Sequence, residues 1–138
     1  MAIFYNVVQR KNPSKPTDPM QWYIVLRRVE QTDEEDVAIE IADETTLNPH
    51  EARMSIEQMK KVLIRNLLNG HSVRLGSWGS FHLTISSKPS ATEKEADASK
   101  VTKINIRFTP GKELKEAIAK AQLRNVKTMA EKNKKKKP

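Results

Sequence analysis

Apolar residues recur along this chain at two different periods, and the points where one period gives way to the other mark its elements. Ile3-Phe-Tyr-Asn-Val-Val-Gln9 and Gln21-Trp-Tyr-Ile-Val-Leu-Arg27 are short runs rich in β-branched and aromatic residues, a pattern that predicts two strands. Pro13, Pro16 and Pro19 punctuate the loop between them. From Thr32 or Asp33 the period lengthens. A capping side chain followed by Glu34, Glu35 and Asp36 suits the positive end of a helix, with Val37, Ile41 and Ala38 as its buried stripe and an end near Thr45. A longer helix follows, capped by Asn48, with Pro49 at its first position and Glu51 completing a capping box. Its apolar residues, Ala52, Ile56, Met59, Val62, Leu63, Leu67 and Leu68, cover a wide stripe, which implies packing on more than one surface. Gly70 stops it.

Beyond Gly70 the period returns to two. Ser72-Val-Arg-Leu75 leads into the turn Gly76-Ser-Trp-Gly79, whose glycines permit positive φ. Phe81, Leu83 and Ile85 then point to one side, with His82, Thr84 and Ser86 on the other. A third strand repeats the device, with Ile104, Ile106 and Phe108 inward and Lys103, Asn105 and Arg107 outward. A last helix starts around Pro110-Gly-Lys112 and carries Leu114, Ile118 and Ala121 or Gln122 at helical spacing.

Composition narrows the class. The chain has 138 residues, about one domain, with 37% hydrophobic and 5% aromatic residues, a modest core that partnership in an oligomer would help to bury. No apolar run is long enough to span a bilayer, and Met1-Ala-Ile-Phe-Tyr5 lacks the features of a secretory signal, so a soluble cytoplasmic protein is expected. The absence of cysteine excludes disulfides, thiolate zinc sites and cysteine nucleophiles. A net charge of +8 favours a polyanionic partner. Residues 127–138 contribute +5 of that, six lysines against Glu131, and the rest of the chain +3. This lysine-rich end is expected to be a disordered tail that adds nonspecific phosphate contacts.

Two anchors stand out: Val73-Arg-Leu-Gly-Ser-Trp-Gly-Ser-Phe81, and Phe108-Thr-Pro-Gly-Lys-Glu-Leu-Lys115. With the helix end Leu67-Leu-Asn-Gly70 and the 27 positions from Phe81 to Phe108, they resemble the HU/IHF-type bacterial histone-like DNA-binding proteins, over about residues 32–121. Trp78 fills the place of the family's aromatic between two turn glycines. The resemblance implies an α+β fold with a helical base, a three-stranded antiparallel sheet and an arm, to which this chain adds an N-terminal β-hairpin and the disordered tail. HU-like variants with an added N-terminal hairpin and a neutral arm occur among Bacteroides-type bacteria, and the chain looks like one of these. The expected organisation is an N-terminal extension over 1–31, an HU-like domain over 32–126 and a basic tail over 127–138. The extension lies outside the resemblance and is read as a hairpin covering apolar surface rather than a separate binding site, although Lys11 and Lys15 leave the second option open.

Members of this family are intertwined homodimers whose sheets form a saddle and whose arms wrap the DNA minor groove. The resemblance therefore implies double-stranded DNA as partner, a homodimer burying Leu67, Trp78 and Phe81 near its two-fold, and the bacterial nucleoid as location. Its implied DNA-binding residues are Lys88, Lys94, Lys100, Lys103, Arg107, Lys112 and Lys115, joined by Lys134, Lys135, Lys136 and Lys137 of the tail. Lys112 and Lys115 would meet phosphate at a helix start, where main-chain N–H groups favour an anion. His82, Thr84, Ser86 and Asn105 would line the saddle beside them.

The arm departs from the family. Family arms are rich in arginine and carry a tip proline that wedges between base pairs. Residues 86–103 here contain no arginine and set four lysines against Glu93, Glu95 and Asp97, a net of +1. Pro89 lies near the arm's root and reads as a loop proline. The expectation is a DNA binder of low sequence specificity with reduced bending. The alternative is an HU-fold structural or protein-interaction module that no longer clamps DNA. An enzyme is not expected: His50, His71 and His82 have no metal-binding spacing, the four glycines form no phosphate loop, and no cofactor or small-molecule substrate is indicated.

Overall fold

A computed structural model describes residues 1–127 of the chain. Their elements run β1 (Ala2–Arg10), β2 (Gln21–Arg27), α1 (Glu34–Glu44), α2 (Pro49–Leu68), β3 (Val73–Leu75), β4 (Gly79–Ser87), β5 (Val101–Pro110), α3 (Lys112–Ala119) and β6 (Gln122–Asn125), with two single 3₁₀ turns between β4 and β5. They fall into two units, one holding residues 33–118 and the other the flanking segments 1–32 and 119 onward.

In the central unit the helix starts are built as their sequences predict. The Asp33 carboxylate accepts from the Asp36 N–H while the Asp36 carboxylate accepts from the Asp33 N–H, and Asn48 and Glu51 exchange the same pair of bonds at the head of α2. At the far end of α2, Gly70 takes a φ of 80°. Its N–H reaches the Leu67 carbonyl and that of His71 reaches Asn66, so the last carbonyls are satisfied by a left-handed residue that glycine adopts without penalty. The two helices meet through small residues: Ala38 and Ala52 are almost wholly buried. Arg53 bonds Glu35 at 2.9 Å across this contact, and Lys60 bonds both Glu34 and Glu57. These bonds raise the Lys60 pKa and lower that of Glu57. Of the stripe expected on α1, Ala38 is the buried member, whereas Val37 stands exposed.

The strands β3, β4 and β5 form an antiparallel sheet in that order, in register from Gly79↔Pro110 to Ser86↔Lys103 with an irregularity at Ser86/Ser87. The turn between β3 and β4 docks on the start of α3. Gly111 donates to the Trp78 carbonyl at 2.7 Å, Glu113 N–H to the Ser77 carbonyl at 3.2 Å, and the Ser77 hydroxyl to the Glu113 carboxylate at 2.8 Å. A side chain at Gly111 would collide with the Ser77 carbonyl. The two turn glycines serve different needs. Gly76 has a φ of 55°, as its turn requires, whereas Gly79 has no positive φ and is needed because a Cβ there would lie 2.5 Å from the Phe108 ring. Phe108 in turn packs on Phe81 and Trp78, with ring centroids 4.9 and 5.1 Å away. Leu67 is buried, but Trp78 keeps 42% of its surface exposed.

Between β4 and β5 the ribbon closes with Lys88 N–H donating to Lys100 O. Residues 88–100 then fold on themselves. The 3₁₀ turns Glu93–Glu95 and Ala98–Lys100 lie within the loop, Ser90 bonds the Glu95 carbonyl, and the Asp97 carboxylate accepts from the Ser99 N–H at 2.9 Å and from its hydroxyl.

The flanking unit is a second three-stranded sheet. β1 and β2 pair antiparallel over Phe4↔Arg27 to Arg10↔Gln21, the predicted hairpin, and β6 adds to β1 in parallel, from Ala2↔Gln122 to Tyr5↔Asn125. This third strand corrects the expected last helix: α3 stops at Ala119, and Gln122, placed on its helical stripe by spacing, lies in β6.

Two outcomes follow from these contacts. Replacing Gly111 by Ala should lower stability by about 2–3 kcal/mol, as overpacking against fixed backbone does, read as the shift of a urea midpoint. The bonds from Ser99 hold the Asp97 carboxyl below its usual range, so the stability it contributes is present at neutral pH and lost as the pH falls through that lowered value. Amide exchange at Ser99 and Lys100, corrected for intrinsic rates, should therefore lose protection below the ordinary aspartate pKa, and Asp97→Ala should remove it at neutral pH.

Candidate nucleic-acid interface

Register across β3, β4 and β5 sorts their side chains onto two faces, because opposed residues in a ladder share a face and neighbours alternate. One face is apolar: Val73, Phe81 and Phe108 form a row, followed by Leu83 with Ile106 and Ile85 with Ile104. Ile85, Ile104 and Ile106 are each more than 60% exposed in the single chain.

The other face is polar. It carries the row Arg74, Ser80, Thr109, then His82 with Arg107, Thr84 with Asn105, and Ser86 with Lys103. Asn105 Nδ2 donates to Ser86 Oγ at 3.1 Å, which fixes two hydrogen-bonding groups in the middle of the surface. Three cations, Arg74, Lys103 and Arg107, share this face with no carboxylate among its residues, and among the described residues none of the three forms an ion pair. Arg74 also donates from Nε to the Gly76 carbonyl at 3.2 Å.

Of the residues singled out by sequence, the structure brings Lys103 and Arg107 together on this face and adds Arg74 to them. Pattern reading passed over Arg74 because β3 has only three residues; its place depends on the Arg74↔Ser80↔Thr109 pairing. Lys88, Lys94 and Lys100 belong instead to the folded loop, Lys94 between Glu93 and Glu95 in a 3₁₀ turn. Lys112 opens α3 and lies 3.8 Å from Glu116, and Lys115 is one turn in. At the start of α3 the Gly111 and Glu113 N–H groups are bonded to the Trp78 and Ser77 carbonyls. Lys134, Lys135, Lys136 and Lys137 lie outside the described residues.

The distribution of charge between units is uneven. Residues 33–118 contain 12 Lys and Arg against 14 Asp and Glu, a net of −2. Segments 1–32 and 119–138 together contain 13 against 3, a net of +10. The acids of the central unit belong to α1, α2, α3, their caps and the folded loop, and none occupies a position of the polar sheet face. Among the described residues no cluster of three His, Asp or Glu could hold a metal ion, and no helix is long and apolar enough to cross a membrane.

Comparisons with known proteins agree with this geometry. No curated protein matches the chain. A protein from Bacteroides vulgatus ATCC 8482, named as a candidate bacterial DNA-binding protein, superposes with a TM-score of 0.62 at 19% identity over 89% of this chain, which spans only 48% of that protein's length. HU from Anabaena, in a cocrystal with DNA, superposes with a TM-score of 0.52 at 16% identity over 64% of this chain and 99% of its own. At these identities the two structures establish a common fold. The family model described as "HU domain fused to wHTH, Ig, or Glycine-rich motif" matches residues 1–125, nearly the whole described chain including the N-terminal sheet, and the protein therefore belongs to the HU-HIG family of HU-like proteins.

Proposed function

We propose that the protein is a nucleoid-associated, histone-like protein that binds duplex DNA as a homodimer with low sequence specificity. The observation that carries this reading is the acid-free polar face of the central sheet, where Arg74, Lys103 and Arg107 stand together in a unit whose net charge is negative. A solvated sheet face with no ligand would be expected to mix signs, since like charges on neighbouring strands are unfavourable. Guanidinium and ammonium groups so placed suit phosphates, and phosphate contacts position a duplex without reading its bases.

The reverse face supports the dimer. Ile85, Ile104, Ile106 and Phe108 leave a contiguous apolar surface open in one protomer, and an isologous second copy would bury it. The folded loop supports weak bending. Pro89 sits beside the Lys88–Lys100 closure, at the loop's base, and the loop contains no arginine to enter a narrow groove. A bacterial cytoplasm, where the nucleoid lies, is the matching location. The lysines of the tail, Lys134 to Lys137, would add sequence-independent contacts. A second reading, an HU-fold protein-interaction module, draws on the net −2 of residues 33–118 and on Glu93, Glu95 and Asp97 in the loop.

Titration of a labelled random-sequence duplex at a series of salt concentrations separates the two. The full chain should bind, and Lys103→Gln/Arg107→Gln should lower the log–log salt slope by about 1.8, at roughly 0.9 per lost phosphate contact. A chain ending at Val126 should still bind, with a smaller slope. No binding by either chain at low salt would leave the interaction-module reading in place. Sedimentation at micromolar concentration should give twice the protomer mass; a monomer would remove the dimer from the proposal.

A further inference from the structure

The N-terminal sheet confines its charged residues to one of its two sides. Its register places Trp22, Ile24 and Leu26 of β2, Tyr5 and Val7 of β1 and Leu123 of β6 on one side, which bears no charged residue. The other side is mixed: half-buried Ala2, Phe4, Val8 and Val25 lie among Asn6, Tyr23, Gln21 and Gln122, and its charged residues are Arg10, Arg27 and Arg124. Phe4 pairs with Arg27 on one flank and Arg124 on the other, so the two guanidinium groups straddle the central strand in one row. The twenty residues of β1, β2 and β6 contain these three arginines and no Asp or Glu. All three are exposed, and among the described residues none forms an ion pair.

We propose that this arginine face is a second contact surface for the phosphate backbone of duplex DNA, separate from the face of the central sheet; the inference rests on the reading of the protein as a duplex binder. Arg27 and Arg124 stand in one row with no carboxylate on the sheet to engage them, which leaves both guanidinium groups available to an anionic partner. Two strand spacings separate Arg27 and Arg124 by about 10 Å at Cα, and their flexible side chains can reach phosphates on either side of a groove of roughly 6–12 Å. The choice of arginine at all three positions matches the fork geometry that phosphate oxygens accept. The surplus of charge agrees: residues 1–32 and 119–126 carry +5 without the lysine-rich tail, whereas the central unit carries −2. The hairpin thus takes the binding role that Lys11 and Lys15 alone left open.

The test uses the full chain with Arg10→Gln/Arg27→Gln/Arg124→Gln, titrated with the same duplex across salt concentrations beside Lys103→Gln/Arg107→Gln. The expected result is a salt slope reduced by about 2–3, affinity lowered at least tenfold, and an unchanged melting temperature. The corresponding triple lysine variant should keep most of the slope, because it keeps the charge. If the glutamine variant binds with wild-type slope and affinity while the central-sheet variant is weakened, the arginine face is refuted and duplex binding stands. If the wild-type chain itself fails to bind at low salt, both fall. Should the triple glutamine variant lose its fold, Arg124→Gln alone decides: a slope lowered by about 0.9 supports the face, and an unchanged slope overturns it.

Discussion

The protein is governed by a shortage of interior. Ala38, Ala52 and Leu67 are the buried apolar side chains of the described residues, while Ile85, Ile104 and Ile106 of the central sheet and Trp22, Ile24, Leu26 and Leu123 of the N-terminal one stay open to water. Two separate three-stranded sheets and three helices leave much of their apolar surface uncovered in a single copy of the described chain. Each sheet accordingly has one covered role and one wetted role to distribute, and strict alternation along the strands assigns them without further instruction. The cationic surfaces are therefore by-products of register as much as of charge: Arg74, Lys103 and Arg107 converge because the apolar residues between them must face the other way.

What holds that register is local and small. The turn at Gly76 to Gly79 grips the start of α3 through two main-chain hydrogen bonds, and the closeness of the grip leaves Gly111 no room for a side chain. The Phe81, Phe108 and Trp78 rings pack against the same corner. Two amides at the start of α3 are thereby committed to structure, and the exposed cations of the sheets take their spacing from the strands.

Much of this was legible from sequence where the determinants are local. Asn48-Pro49 with Glu51 specified the head of α2, Gly70 its end, and the glycine turn with Phe108 and Gly111 the sheet and its following helix. The missing parts have nonlocal causes. Gln122-Leu-Arg-Asn125 is too short to show alternation, and Leu114 and Ile118 suggested that the helix ran on into it; only pairing with β1 makes it a strand. Arg74 and Arg124 acquire meaning solely through their partners across a ladder. The folded loop was readable as nearly neutral, but its 3₁₀ turns depend on the Asp97 and Ser90 bonds, which composition does not reveal.

The parallel pairing of β6 with β1 also bears on how the chain is made. About 120 positions separate the paired residues, from Ala2↔Gln122 to Tyr5↔Asn125, so β1 is completed by a strand made long after it. At roughly 5–20 residues per second, the β1 edge waits on the order of 6–24 s with its main-chain donors and acceptors unpaired. During that interval it is open to any other extended strand, and its pairing with β6 can follow only once the whole central unit has been synthesised.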